Sequence, residues 1–421
     1  MEKNKNIYYI VHIMALDAFG RLRVSNCFTT FNYYPSLITS NSNLDIDNWV
    51  NITNGNGLST YNIDNYVNMS ISNTGDYVLR ITKQPMEYQP GKSRLIYLTG
   101  VMLGESSGSD TITSRIGIFN VDNSTPTTIT DGVYFQTDGT NLQWVETIQT
   151  GTITVNQSSW NVDIFDGNGP SGKTLTSSNL NTSMLFVIDQ EWLGVGRVRF
   201  GFIIDGVIYY AHEFNHGTLD VQYTNTPRQR IGYQIIGTSI TTEHTMRQMC
   251  STSILEGGYF PLCPRLSISN GTNKITLASS DTKYILLSLK LQSNYTNALI
   301  KLLNLSITFS AKTGNVALYE IQLHSSNGSI GSINGSLTYN NISNSMSQYS
   351  VGNGTQTISS DGFIIYSGYV SSNTNLILSN KPEDTLLTRN ICSIYDTLYL
   401  IGSCTDNNED MFGALDFIEN I

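Results

Sequence analysis

Charged side chains are scarce in this chain of 421 residues: Asp, Glu, Lys and Arg together make up only 13% of it. The net charge is −10, and no stretch of the sequence concentrates Lys or Arg. A protein that binds a phosphate backbone needs a concentrated basic face. We therefore expect no nucleic-acid partner.

Cysteine is also rare, and its spacing shows neither a metal-binding nor a disulfide pattern. The five residues are odd in number and include no CxxC pair, so neither a zinc knuckle nor a dense disulfide framework is indicated. The cysteines are Cys27, Cys250, Cys263, Cys392 and Cys404. We expect them to be free thiols that behave as small hydrophobic side chains, which fits assembly in a cytoplasm.

Long apolar runs are missing as well. The longest candidate, Ala298 to Phe309, is interrupted by Lys301 and Asn304, whereas a membrane span needs about 20 apolar residues. We therefore expect a soluble protein without membrane insertion. Ile7 to Leu16 is apolar apart from His12 but is short for a signal peptide and is not followed by a cleavage site. Residues 1–16 are interpreted as an N-terminal arm.

The sequence is rich in short alternating segments separated by turns. From Val198 to Ile204, apolar residues occupy every second position, which is the period of a half-buried strand. Asp205-Gly206 then precedes a second apolar run, and Asp138-Gly139 lies between two further strand candidates. Asp-Gly tolerates the positive φ angles of a tight turn. These patterns predict β-hairpins and an all-β fold.

The predicted strands fall into two groups. The patterning is interrupted between Arg247 and Arg265, where two glycines and two prolines occur. We therefore predict two antiparallel β-sandwich or jelly-roll domains, over residues 17–250 and 265–421. Residues 35–62 are expected to be mostly loop, and residues 325–361 to be loops with short edge strands.

One segment matches the phosphate-loop pattern GxxxxGK[ST]: Gly167 to Thr174. A phosphate loop opens a helix and belongs to a parallel βαβ unit. The residues that follow Thr174 have no apolar stripe, and only fifteen residues separate Lys173 from Asp189, too few for the roughly 30 residues of that unit. A glycine-rich surface turn is the preferred interpretation.

The same turn-rich region carries the only weak metal candidates, Asp163, Asp166 and Asn168. Calcium takes six to eight oxygen ligands from carboxylates, amides and carbonyls, so this oxygen-rich turn is a candidate calcium site. The spacing is not that of a helix-loop-helix calcium loop, and Asp, Asn and Gly also build ordinary Asx turns. We expect no cofactor, with calcium as the alternative.

Histidine and tryptophan supply the candidate ligand contacts. His212, Glu213 and His216 match the letters HExxH of a zinc protease, but that motif places both imidazoles on one face of a helix, and the context here is strand and turn. On a strand, His212 and His216 share a face, so they are candidates for a ligand site or for polar rim positions. Trp144 and Trp160 are candidates for stacking on sugars, although core packing is the default for a Trp in an alternating strand.

An ordered series of motifs in the first domain resembles a family of uncharacterised virion structural proteins of tailed phages and large DNA viruses. The resemblance covers residues 17 to about 240. Cys27 stands where that pattern has Pro, and residues 241–421 match only loosely, mainly over Leu398 to Phe417. The motifs are Phe19–Asn26, Pro90–Ser93, Arg115–Phe119, Gly132–Phe135 with Asp138-Gly139, Trp160–Asp163, Asp166-Gly167, Glu191–Gly196 and His212–His216.

The resemblance implies a particle component, located in the virion, that acts through contacts with copies of itself and other virion proteins. The strand, Asp-Gly turn and strand pattern is also similar to that of a concanavalin-type lectin or laminin-G sandwich. A receptor- or glycan-binding spike or fibre protein, with host surface glycan as its ligand, is the alternative function. The third hypothesis is a carbohydrate-active enzyme that uses a pair of glutamates; we expect a non-enzyme.

Overall fold

A computed structural model describes residues 27–35, 48–103, 110–122, 124–257, 265–295, 298–312, 314–325, 330–379, 386–388 and 396–420. The predicted arm, residues 1–16, lies outside these ranges. The chain forms two compact units, Met1–Phe260 and Pro261–Ile421. Across the described ranges, no helix is long and apolar enough to span a membrane.

In its described residues, the first unit is built from fifteen strands and two short 3₁₀ helices, Gln157–Ser159 and Ser177–Asn181. Its strands are β1 (Cys27–Tyr33), β2 (Trp49–Asn54), β3 (Leu58–Asn62), β4 (Tyr66–Ile71), β5 (Tyr77–Thr82), β6 (Arg94–Val101), β7 (Thr111–Val121), β8 (Ile129–Thr137), β9 (Leu142–Ile148), β10 (Gly151–Asn156), β11 (Met184–Gln190), β12 (Val198–Ile204), β13 (Val207–Phe214), β14 (Arg230–Ser239) and β15 (His244–Glu256).

These strands form two antiparallel sheets. One follows the order β13-β12-β11-β6-β15-β4-β3, with β1 also paired to β15, and the other follows β10-β9-β8-β7-β14-β5-β2. Side chains from both sheets meet in one core: Phe135 and Trp144 of the second sheet pack against Phe186 and Phe202 of the first. The first unit is therefore a β-sandwich, closed by burial of its aromatic faces.

The hairpin predicted at Asp205-Gly206 is present. β12 ends at Ile204 and β13 begins at Val207, and the two turn residues have φ angles of 52° and 77°. Two consecutive positive φ angles are what a tight primed turn requires. Gly139 likewise has a φ of 98° between β8 and β9, so both hairpin predictions are confirmed.

The described part of the second unit contains fourteen strands in two further antiparallel sheets. One has the order β16-β29-β19-β26, with β17 and β27 at its margins, and the other has the order β21-β24-β18-β28-β20-β25, with β22 and β23 beside β18. Its strands are β16 (Arg265–Ser269), β17 (Ile275–Leu277), β18 (Tyr284–Leu291), β19 (Leu299–Ser310), β20 (Val316–His324), β21 (Ser332–Asn334), β22 (Asn340–Asn341), β23 (Ser347–Val351), β24 (Thr357–Ser360), β25 (Phe363–Ser371), β26 (Thr374–Ser379), β27 (Leu386–Thr388), β28 (Thr397–Cys404) and β29 (Glu409–Asn420).

The core of the second unit is mainly aliphatic. Leu286 and Leu400 of one sheet share a buried cluster with Met411 and Leu415 of the other. The two sheets approach closely, since a Cβ atom placed on Gly413 would stand 2.6 Å from the Leu400 side chain. The expectation of an all-β chain built from antiparallel sandwiches is thus confirmed in both units.

Some strands differ from the expectations. β2 and β3 lie inside the region 35–62 that was expected to be mostly loop. The alternation pattern also failed to predict β14 and β15, although both are interior strands with neighbours on each side. The reason is that β14 and β15 carry buried polar residues, among them Gln234 and Gln248, which interrupt the apolar pattern without ending the strand.

Candidate functional site

The two tryptophans singled out as candidate sugar contacts lie in the core of the first unit. Trp144, on β9, has no exposed surface, and its ring stacks on Phe200 at a centroid distance of 4.7 Å. Trp160 follows the first 3₁₀ helix, is also buried, and donates its indole N–H to the Val155 carbonyl oxygen at 3.2 Å. Buried rings of this kind offer a ligand no face to stack on, and they stabilise the sandwich instead.

The two candidate histidines are also buried, and the structure gives them separate partners. His212, on β13, accepts the backbone N–H of Asn161 at Nδ1 over 3.2 Å, and its ring lies edge to face with Phe214. Burial lowers the pKa of His212 to about 4, and the nearby charge of Glu213 offsets only part of this change. His212 is therefore neutral at pH 7 and holds the segment after the 3₁₀ helix against β13.

His216 belongs to a buried polar cluster with Glu146 and Tyr223. Its Nε2 lies 2.8 Å from Glu146 Oε2, its Nδ1 donates to the Gly196 carbonyl oxygen, and its ring stacks on Tyr223 with centroids 4.0 Å apart. Since a carbonyl can only accept, Nδ1 carries a proton, and one further proton is held between Nε2 and the Glu146 carboxyl group.

The pKa values of this pair are coupled. Burial raises the pKa of Glu146, and the hydrogen bond and charge of His216 offset part of that rise. Burial lowers the pKa of His216, but its contacts with Glu146 and with the Gly196 carbonyl outweigh burial and give a net upward shift. With both side chains inside the core, the pair connects β9 to the turn before β12 and has no open face for a substrate.

The weak metal candidates occupy a turn that is closed by their own hydrogen bonds. Asp163 accepts the backbone N–H of Phe165 at one carboxylate oxygen and that of Ser171 at the other, each at 2.8 Å. Asp166 accepts both the backbone and side-chain N–H groups of Asn168, as in an Asx turn. Among the described residues, no cluster of three or more His, Cys, Asp or Glu side chains could hold a metal ion.

The segment that matches the phosphate-loop pattern is a turn. Asp166 and Thr174 form an isolated antiparallel bridge across it. Lys173 extends to the β12–β13 turn, where its Nζ lies 2.9 Å from Asp205 Oδ2. Its ammonium group therefore faces a carboxylate.

An open groove in the second unit is a better candidate binding site. It has a volume of about 670 Å³, which is within the range of small-molecule sites. One wall is the loop that leads into β22, and the other is β23 with the turn that follows it. The lining residues are Gly335, Ser336, Leu337, Thr338, Asn340, Tyr349, Ser350, Val351, Asn353, Thr355 and Gln356.

Gln356 connects the two walls of the groove. Its side-chain amide donates to the Ser336 carbonyl oxygen at 3.1 Å, and its Oε1 accepts the backbone N–H of Asn353 at 3.0 Å. Asn353 in turn accepts the backbone N–H and the hydroxyl of Thr355. Gln356 is itself buried, so its hydrogen bonds fix the two walls of the groove relative to one another.

The lining of the groove is polar but uncharged. Eight of its residues carry a hydroxyl or amide side chain, which can donate and accept hydrogen bonds. Tyr349, opposite Asn340 in the β22–β23 pair, adds a half-buried aromatic ring. None of these residue types forms a recognisable motif, and the walls are formed by pairing between β22 and β23, so the sequence patterns did not predict the site.

Comparison with known proteins yields only distant structural likenesses. No protein-family model matches the chain, and no curated protein matches it. Arcelin-5, a lectin-like defense protein from Phaseolus vulgaris, is 8% identical over 55% of this chain and 98% of its own, with a TM-score of 0.33. An endo-1,3-beta-glucanase from Streptomyces sioyaensis is 11% identical over 56% of this chain and 99% of its own, with a TM-score of 0.36.

A carbohydrate esterase from the Shiga toxin-encoding bacteriophage phi24B is similarly distant, with 10% identity over 55% of this chain and 99% of its own and a TM-score of 0.30. Values this low are no basis for assigning an activity.

Proposed function

We propose that this chain is a structural protein of a virus particle that binds neutral glycans through the groove of its second unit. The observation that carries glycan binding is the groove itself, an open site lined by hydroxyl and amide side chains around Tyr349. The place in a virus particle is supported by the ordered motif series of the first unit. Copies of the chain and other virion proteins are the proposed assembly partners.

The chemistry of the groove matches that of a saccharide. A sugar ring carries hydroxyl groups at its rim and C–H groups on its faces. The amides of Asn340 and Asn353 and the hydroxyl of Thr355 are exposed and can bond hydroxyl groups in either direction. An aromatic ring such as Tyr349 supplies apolar contact area for a C–H face.

The absence of charge from the lining selects the class of glycan. An anionic sugar is bound best by a charge-assisted hydrogen bond from Arg or Lys, and none of the eleven lining residues is charged. We therefore propose neutral saccharides as ligands, with no metal cofactor. Binding without cleavage is proposed, because the lining offers no carboxylate pair of the kind that glycoside hydrolysis uses.

The test is a binding titration with a defined panel of probes. Cellohexaose, maltohexaose, laminarihexaose and chitohexaose represent neutral glycans, and sialyllactose represents an anionic one, each with calcium and with chelator. We expect calorimetry to detect at least one neutral probe and no dependence on calcium. Tyr349→Ala should weaken that binding about tenfold, which corresponds to about 1.4 kcal/mol.

Tyr295→Ala is the matched control, because Tyr295 is exposed but does not line the groove. Its affinity should equal that of the unaltered chain. The proposal fails if no neutral probe binds, or if Tyr349→Ala and Tyr295→Ala have the same affinity. Release of new reducing ends from a probe would show hydrolysis and overturn the proposal of binding alone.

A further inference from the structure

The margin of the second unit formed by β25 and β26 is unusually apolar. In the described part of this unit, the exposed large apolar side chains are Tyr295, Val316, Phe363, Ile364, Tyr369 and Ile377, and the last four lie on β25 or β26. Tyr369 is 73% exposed and Ile377 is 66% exposed. A group of exposed apolar side chains on neighbouring strands marks an interaction surface.

Both strands lie at sheet margins. β25 is the last strand of its sheet, with β20 on one side and no other described strand on its far side. β26 likewise ends the order of the other sheet, and only Ser372 and Asn373 join the two strands. The edges of the two sheets therefore meet on the same side of the second unit, and we call this side the β25–β26 edge.

The β25–β26 edge lacks the charged residues and prolines that often keep sheet edges apart, although β25 carries a bulge between Ile364 and Tyr366. Proteins protect exposed edges with charged residues, especially Lys, and with Pro. Residues 363–379 contain no charged residue and no proline. Two identical copies of this edge can approach without like-charge repulsion. A charged partner would find no group of opposite charge on this edge.

From the exposed apolar side chains, the marginal strands and the absence of charge, we propose that a second copy of this chain binds to the β25–β26 edge. β25 of each copy pairs antiparallel with β25 of the other about a two-fold axis. This arrangement is closed, so it gives a dimer without unlimited growth. Ile364, Tyr369 and Ile377 lose their contact with water in the interface.

The inference rests on the self-association proposed above and names its surface. The groove is on a different part of the unit: β23 lies beside β18, and β28 and β20 separate β18 from β25. A dimer formed through the β25–β26 edge therefore leaves both grooves open. Two grooves on one particle component would strengthen attachment to a surface that displays several glycans.

Sedimentation velocity of the full chain tests this pairing. We expect the unaltered chain to sediment as a dimer at a concentration of about 100 µM. A double variant, Ile364→Lys with Tyr369→Lys, places like charges on both copies and should weaken the dimer about tenfold or more. Ile364→Glu with Tyr369→Glu should do the same.

Sedimentation velocity of a mixture of the Lys and Glu double variants is the decisive experiment for this pairing. Because the altered positions lie toward both ends of β25, antiparallel pairing brings opposite charges near one another, and the mixture should recover the dimer. Ile63→Lys, at an isoleucine of the first unit that is 74% exposed, should leave dimerisation unchanged.

A monomeric unaltered chain overturns the inference, as does a Lys variant that dimerises normally or a mixture that stays monomeric. Titration of the Lys double variant with the neutral oligosaccharide that binds best keeps the two proposals distinct. Loss of the dimer with intact glycan binding concerns the edge alone, and loss of glycan binding alone concerns the groove.

Discussion

The two units place their chemically conspicuous residues differently. All four tryptophans, Trp49, Trp144, Trp160 and Trp192, lie in the first unit. Three of them are buried, as are His212, His216 and Glu146. In the second unit, the groove and the β25–β26 edge are formed mainly by uncharged polar residues, by Tyr and by aliphatic residues. The first unit therefore buries the residue types that suggest binding, whereas the second unit exposes surfaces built from common residue types.

This difference reflects the role of Trp and Tyr, large side chains with a single polar group, in the core of a β-sandwich. Trp and Tyr bury a large area in the core of the first unit. Among the described residues, the buried indole N–H groups of Trp49 and Trp144 have no hydrogen-bond partner, but other polar groups in this core do. Tyr223, for example, accepts a hydrogen bond from the Gln190 amide at 3.0 Å inside that core. Residue type alone therefore predicts stability in the first unit better than it predicts binding.

The largest effect is expected for Trp144→Ala. The indole is fully buried between the two sheets of the first unit, so its removal should lower the free energy of unfolding by about 4 kcal/mol through lost burial and a cavity. Urea denaturation followed by tryptophan fluorescence measures this change, because the three remaining tryptophans all report on the first unit.

Ile153→Ala is the matched control for Trp144→Ala, since Ile153 lies on neighbouring β10 and is 43% exposed. Its effect should stay within about 0.5 kcal/mol. If Trp144→Ala proved equally mild, Trp144 would not be a core residue, and its earlier interpretation as a ligand contact would regain support.

A somewhat smaller effect is expected for Leu400→Ala in the second unit. Leu400 is fully buried in an aliphatic core, and its truncation should cost about 3 kcal/mol. Far-ultraviolet circular dichroism should show a urea transition at lower concentration. Tryptophan fluorescence should be unchanged, because every tryptophan belongs to the first unit.

An equal shift of the fluorescence transition in Leu400→Ala would contradict this prediction. It would mean that the two units unfold as one cooperative body instead of as separate sandwiches. Tyr295→Ala, at an exposed position outside the groove and the β25–β26 edge, is the control and should leave both transitions in place.

The sequence predicted those parts of the fold that depend on local chemistry. The hairpins at Asp138-Gly139 and Asp205-Gly206 were predicted because positive φ angles are a property of the turn residues themselves. β14 and β15 were missed because Gln234 and Gln248 bond to distant neighbours: Gln234 donates to the Pro126 carbonyl and accepts from Arg115, and Gln248 accepts from Arg80.

The candidate site was less predictable, for the same physical reason. The groove depends on Gln356 reaching the Ser336 carbonyl and on the pairing of Asn340 with Tyr349. Uncharged hydroxyl and amide residues are common throughout this chain, so no local pattern distinguishes these from the others. Only the pairing of the strands brings these particular residues together in a groove.

The smallest predicted effect concerns pH and compares one buried histidine in each unit. Burial lowers the pKa of both His212 and His324 to about 4, against the charges of Glu213 and Asp361 respectively. In the unfolded chain a histidine titrates near 6.5. Between about pH 6.5 and 4 the unfolded state therefore binds more protons, and stability falls as the pH falls.

Replacing His212 isolates its part of this dependence. The urea midpoint reported by tryptophan fluorescence should fall less between pH 7 and pH 5 in His212→Gln than in the unaltered chain, because Gln cannot be protonated yet can still accept the Asn161 N–H. His216, whose pKa is raised, works in the opposite direction in both proteins, so the difference between them belongs to His212. His324→Gln should leave the fluorescence midpoint unchanged at both pH values, since His324 is buried in the second unit. Equal pH dependence in His212→Gln and the unaltered chain would mean that His212 accepts a proton in the folded state, and that the first unit is more open to water than its buried side chains indicate.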